Sequence, residues 1–76
     1  MSIRWLAIVN PYAGFAHSTS WQASFAEQLH LKLNAEVVFT RYHGHATELA
    51  RASNAEGLAV FGGDGTVAEV VNGMNL

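Results

Sequence analysis

The sequence has no cysteine and a single proline, and charged side chains make up only 13% of its 76 residues. Without cysteine there is no disulfide framework and no thiolate metal site, a composition that suits a cytoplasmic protein. Cations are scarce: Arg4, Lys32, Arg41 and Arg51 are spread along the chain and form no basic stripe, so nucleic acid is not an expected partner. Long apolar runs are missing too. Trp5 to Val9 is too short for a signal-peptide core or a membrane span, so neither a targeting segment nor a spanning helix is expected. What remains is a chain half hydrophobic, with a formal charge of −2. That is too apolar for disorder, and its length suits one small domain. Chains of this size bury only roughly 60% of their unfolded surface, so stability is marginal without help.

The pattern of apolar residues alternates between two periods. Trp5-Leu6-Ala7-Ile8-Val9 reads as a strand covered on both faces, stopped by Asn10-Pro11. Trp21, Phe25, Leu29 and Leu33 recur every four residues and predict a helix from about Ser20 to Leu33, with Thr19 and Gln22 as a capping box and Asn34 as its end. Glu36 to Thr40 reads as a second strand, and Ala46, Leu49, Ala50 and Ser53 as a short second helix. Leu58 to Phe61 forms the third strand, opened by Gly57. Val67, Val70 and Val71 mark a third helix, with Thr66 and Glu69 fitting a capping box and Gly73 a stop. Strand and helix alternating three times predicts an α/β fold, a three-layer α/β/α Rossmann-like unit on a small parallel sheet. The chain stops where such a fold usually continues, so it is expected to be the front part of a larger protein.

The chemistry concentrates at Gly62-Gly63-Asp64-Gly65-Thr66, between a buried strand and a helix. Ligands of open parallel sheets sit beyond the carboxyl ends of the strands. Asn10-Pro11, Thr40 and Gly62 to Thr66 all fall at such ends. Unpaired N–H groups and the helix dipole favour an anion there. Glycine at 62, 63 and 65 is expected to allow positive φ angles and a close approach to phosphate. Asp64 is the only aspartate, and a carboxylate beside phosphate calls for magnesium between them, or else it caps the third helix. A Walker A loop is excluded, because the only lysine, Lys32, lies in mid-helix. Gly63-Asp64-Gly65-Thr66-Val67-Ala68 does fit the dinucleotide pattern G-x-G-x-x-A, but that pattern normally follows the first strand of its unit.

Taken together, the motifs resemble the diacylglycerol kinase catalytic-domain family of lipid kinases, sphingosine kinases among them. Asn10-Pro11 with Ala13-Gly14 resembles the family's Asn-Pro-x-(Ala/Ser)-Gly motif. Thr40, Gly44-His45-Ala46 and Glu48-Leu49-Ala50 resemble its second motif. Gly62 to Thr66 with Glu69-Val70-Val71-Asn72-Gly73 resembles its glycine signature and following helix. The resemblance implies an ATP- and magnesium-dependent kinase acting on a lipid alcohol. Residues 1–76 would then be part of its nucleotide-binding domain, with the lipid-binding domain outside them. It implies ATP contacts from Asn10, Pro11, Tyr12, Ala13 and Gly14, from Thr40, and from Gly62, Gly63, Asp64, Gly65, Thr66, Val67 and Ala68, with Asp64 the catalytic residue of this set and the acceptor-activating acid in the later domain. Tyr12 and Phe15 stand where members often carry lysine or another polar group, and Ala68 where asparagine is frequent.

Weaker candidates remain. His17, His30, His43 and His45 lack acidic or cysteine partners nearby, so no metal site is expected from them, while His45 lies near the rim. Trp5, Trp21 and Phe25 read as packing residues, and Glu27, Glu36, Glu48 and Glu56 as solvated. The alternatives to a lipid kinase are an NAD kinase-like enzyme, which shares the glycine signature, and a non-catalytic α/β module. Such a module would use its edge strand and the open side of its third helix to form a homo-oligomer.

Overall fold

The computed structural model describes residues 3–12 and 19–74. Its elements run β1 (Trp5–Val9), α1 (Thr19–Leu33), β2 (Ala35–Phe39), α2 (His45–Ala52), β3 (Gly57–Phe61) and α3 (Asp64–Gly73). The three strands form one parallel sheet in the order β2-β1-β3. β1 is the middle strand, and its unbroken apolar composition follows from burial on both faces: Leu6, Ala7, Ile8 and Val9 are all buried.

Side chains of a strand alternate between faces. Leu6 and Ile8 pack with Ala46, Ala50 and Val70, which puts α2 and α3 on one face. Ala7 and Val9 pack with Leu29 and Ala35, with Phe25 and Trp5 alongside, which puts α1 on the other. The chain leaves β1 in one direction along the sheet to reach β2 and returns across β1 to reach β3. Crossovers of one hand then require the two connecting helices to lie on opposite faces. The result is the expected three-layer α/β/α unit.

The aromatic stripe of α1 is partly realised. Trp21 stacks on Phe25 with ring centroids 4.7 Å apart, and Phe25 meets Phe61 edge-on at 5.1 Å. Leu29 is buried but Leu33, at the helix end, is exposed. Asn34 ends α1 with φ 54° and donates its N–H to the His30 carbonyl at 2.9 Å. Trp5 packs at the foot of the sheet, where its ring lies so close to Gly57 that a Cβ there would sit 2.7 Å from it.

The helix starts and one helix end differ from expectation. α1 is described from Thr19, one residue earlier than expected. α3 begins at Asp64 with Gly63 as its N-cap and no side-chain cap. Neither Asp64 nor a Thr66–Glu69 box caps it, because Thr66 and Glu69 are committed to tertiary partners. Gly73 is the last residue inside α3 and not a stop beyond it; Met74, in extended conformation, follows. What Gly73 provides is close packing, since a Cβ there would collide with the Thr47 carbonyl oxygen of α2. Among the described residues, no helix is long and apolar enough to cross a membrane.

Candidate functional site

The register of the sheet builds the site. Val9 pairs with Phe39 on one side and Phe61 on the other, so all three strands end at one level. Asn10, Thr40 and Gly62 therefore emerge side by side. The ladder continues one residue further, through Asn10 N–H to the Phe61 carbonyl and Thr40 N–H to the Val9 carbonyl, both 2.8 Å. These bonds fix the rim as firmly as the strands themselves.

Asn10 ties the rim together. Its Oδ1 accepts the Tyr12 N–H at 2.9 Å, closing a turn over Pro11, and its Nδ2 donates to Thr66 Oγ1 at 3.0 Å. Pro11 is buried beneath this turn and Tyr12 is exposed above it. Ala13 and Gly14, the remainder of the expected first loop, lie outside the described residues.

The glycine turn works differently from the expectation set by its composition. Among the described residues, the only glycine with positive φ is Gly44, at 92°. Gly62, Gly63 and Gly65 do not need left-handed backbone. Gly62 is required by contact, since a Cβ there would lie 2.7 Å from Thr66 Oγ1. Gly63 and Gly65 face open space, with nothing within 4 Å of an added Cβ. The turn is thus bare where a ligand would approach. Gly63 O accepts from Thr66 N–H at 3.0 Å and Val67 N–H at 3.2 Å, while the N–H groups of Asp64 and Gly65 fall in the first turn, which has no intrahelical acceptors.

A cleft of about 270 Å3 opens along this rim, lined by Asn10, Tyr12, Thr40, Thr66, Glu69 and the segment Arg41 to His43. Thr40 and Thr66 are buried at its floor. Four of the expected residues, Asn10, Tyr12, Thr40 and Thr66, thus converge. Gly63, Asp64 and Gly65 lie exposed at its edge. Ala68 is exposed on α3, and Val67 lines a separate apolar groove with Val71 and Met74 on the outer side of α3. The cleft is smaller than the roughly 300–1,000 Å3 of pockets that bury a whole ligand, so it can grip only part of a nucleotide.

Two contributors have roles other than those the sequence suggested, where Arg41 is one of four scattered cations and Glu69 a helix-capping residue. Arg41 brings a cation to the cleft, signalled only by its place directly after Thr40. Glu69 accepts the Gly44 N–H at 3.1 Å and pairs with His43 Nδ1 at 3.4 Å, so α3 holds the loop that leads into α2. Thr47 Oγ1 donates to the Glu69 carbonyl at 2.7 Å and strengthens the same junction. His45 accepts the Arg41 N–H on Nδ1 at 3.0 Å, which places its ring proton on Nε2 when it is neutral. Glu48, expected to be merely solvated, accepts a hydrogen bond from the Tyr42 hydroxyl. That carboxylate holds the Tyr42 phenol above its ordinary pKa of 10.0.

Among the described residues, no three His, Cys, Asp or Glu side chains are grouped to hold a metal. Asp64 is a lone carboxylate at the start of α3. A single carboxylate of this kind could serve as one ligand of an ion that keeps several of its waters, as magnesium does.

Comparison with known proteins places the geometry in context. The model of the diacylglycerol kinase catalytic domain matches residues 4–76. The chain is 36% identical over 77 residues to "Putative lipid kinase YtlR" of Bacillus subtilis, covering 92% of this chain and 25% of that protein. It is 36% identical over 72 residues to sphingoid long chain base kinase 5 of Saccharomyces cerevisiae, covering 88% of this chain and 10% of that one. The solved structure of "A putative diacylglycerol kinase from Bacillus anthracis str. Sterne" superposes with a TM-score of 0.74 at 34% identity, over 92% of this chain and 26% of that one. The chain therefore spans between a tenth and about a quarter of the length of these relatives.

Proposed function

The chain belongs to the diacylglycerol kinase catalytic-domain family, and from that premise we propose that it forms the ATP-binding part of a lipid kinase. The observation that carries this reading is the convergence of Asn10, Thr40 and Thr66 on one cleft beside the bare start of α3. In this reading the N–H groups of Asp64 and Gly65 receive phosphate oxygens, the helix dipole adding about 0.3–1 kcal/mol. Thr40 and Thr66 offer hydroxyls from the cleft floor. Asn10 is a positioning residue, since both ends of its amide are already engaged within the protein.

Asp64 sets the electrostatic requirement. Two like unit charges about 4 Å apart repel by about 4 kcal/mol at an effective dielectric of 20, far more than the dipole returns. Asp64 would hold a magnesium ion here, which would supply positive charge to offset that repulsion and the charge that develops on the transferred group. Arg41 adds a second, fixed positive charge at the cleft. What these residues do is bind and orient the phosphate chain. The acceptor is a lipid hydroxyl, and the groups that bind and activate it belong to parts of the protein outside residues 1–76.

Calorimetric titration of the full chain with ATP and magnesium tests the binding half of this proposal. Saturable binding that requires magnesium is the expected result. For the catalytic half, transfer of radiolabelled γ-phosphate to diacylglycerol, a sphingoid base or phosphatidylglycerol is expected from the full-length protein. Phosphorylation of NAD with none of these lipids would refute it.

A further inference from the structure

Tyr42 stands apart from the phosphate machinery yet lines the same cleft. Its surface is 57% exposed although both its face and its tip are engaged. The ring stacks on His45 with centroids 4.4 Å apart and planes 15° from parallel, and its hydroxyl donates to Glu48. His45 is in turn held by the Arg41 N–H. The ring is thus held from behind by His45 and at its tip by Glu48. With the imidazole covering one face, the exposed area belongs to the other face and the edges.

We propose that the free face of Tyr42 is a stacking platform for the base of the bound nucleotide, a reading that rests on the phosphate assignment above. The cleft runs from Tyr42 and His43 to Asn10 and Thr66, next to the start of α3, so a base held against Tyr42 leaves the phosphates to extend beyond the cleft onto that helix start. Tyr12, 76% exposed, lines the same cleft and adds a second aromatic wall. Every base has a π-face, so such a platform supplies affinity with little selectivity among bases. Its prior fixation by His45 and Glu48 lowers the ordering cost of binding.

The test compares magnesium-ATP with magnesium-tripolyphosphate, which has the same three-phosphate chain with one more negative charge when fully ionised, and neither ribose nor base. Both are titrated calorimetrically into the full chain and its Tyr42→Ala and Tyr42→Phe variants, with thermal melts confirming that each is folded. Tyr42→Ala is expected to weaken ATP binding roughly five- to a hundredfold and to leave tripolyphosphate binding unchanged. Tyr42→Phe is expected to retain most of the ATP affinity. Unchanged ATP affinity in Tyr42→Ala, or parallel losses for both ligands, would overturn the platform. An ATP affinity that Tyr42→Ala leaves unchanged removes the platform alone and spares the phosphate assignment, whereas failure of the unaltered chain to bind either ligand would remove both.

Discussion

Replacing Gly65 with alanine should separate the requirements of the fold from those of the ligand. Gly65 is the second residue of α3, is exposed, and has nothing within 4 Å of the position a Cβ would occupy. Its φ is not positive, so alanine fits the existing backbone. Alanine in place of helical glycine gains about 0.5–1 kcal/mol, chiefly by restricting the unfolded chain. For a domain of this size that corresponds to a rise in Tm of roughly 2–8 °C. The methyl group would at the same time fill the space through which phosphate reaches the backbone. Gly65→Ala should therefore be at least as stable as the parent in urea and thermal denaturation, yet bind magnesium-ATP at least tenfold more weakly by calorimetry. Gly62→Ala is the control of opposite sign. Its Cβ would lie 2.7 Å from Thr66 Oγ1, displacing the hydroxyl that accepts from Asn10, at a cost of about 1–3 kcal/mol from overpacking. A Gly65→Ala variant that binds nucleotide normally, or that loses more than about 1 kcal/mol of stability, would refute this reasoning.

Other consequences follow from single contacts. Gly73→Ala should destabilise the fold by about 1–3 kcal/mol in urea titration, because the new methyl meets the Thr47 carbonyl and the two helices must part. Glu69→Ala removes the acceptor of the Gly44 N–H and the partner of His43, so exchange of the Gly44 amide with solvent deuterium should accelerate while amides of β1 stay protected. In a Tyr12→Phe background Tyr42 is the sole tyrosine, and ultraviolet titration should find it ionising above pH 10. The raised value means that the Tyr42–Glu48 contact is fully present below the ordinary phenol pKa and lost as pH climbs through the raised one. Adding Glu48→Gln should bring the transition back towards 10, since it removes the carboxylate that holds the proton.

The elements were legible in the sequence because their periods are strong. Leu6 to Val9 could hardly be anything but a doubly covered strand, and β2 was misplaced by only one residue. The shared rim was legible for the same reason: parallel strands of equal length ending in Asn10, Thr40 and Gly62 must present those residues together. What the sequence concealed depends on contacts between distant segments. Thr66 and Glu69 have the spacing of a capping box, but Asn10 and Gly44 claim their side chains from 56 and 25 residues away. The glycines looked like positive-φ positions because composition cannot distinguish backbone strain from crowding. Gly62 is crowded by Thr66, and Gly65 is merely bare. Arg41 and Tyr42 carry no motif of their own, and only the turn after β2 brings them into the cleft.

The central claim is that nucleotide phosphates sit on the N-terminus of α3, and amide chemical shifts test it most directly. The account predicts that magnesium-ATP added to the isotopically labelled full chain will move the amides of Gly63, Asp64, Gly65 and Thr66 most, with smaller shifts at Asn10 and Thr40. Shifts centred instead at the opposite end of the sheet, around Arg4, Asn34 and Asn54, or no shifts at saturating nucleotide, would contradict it.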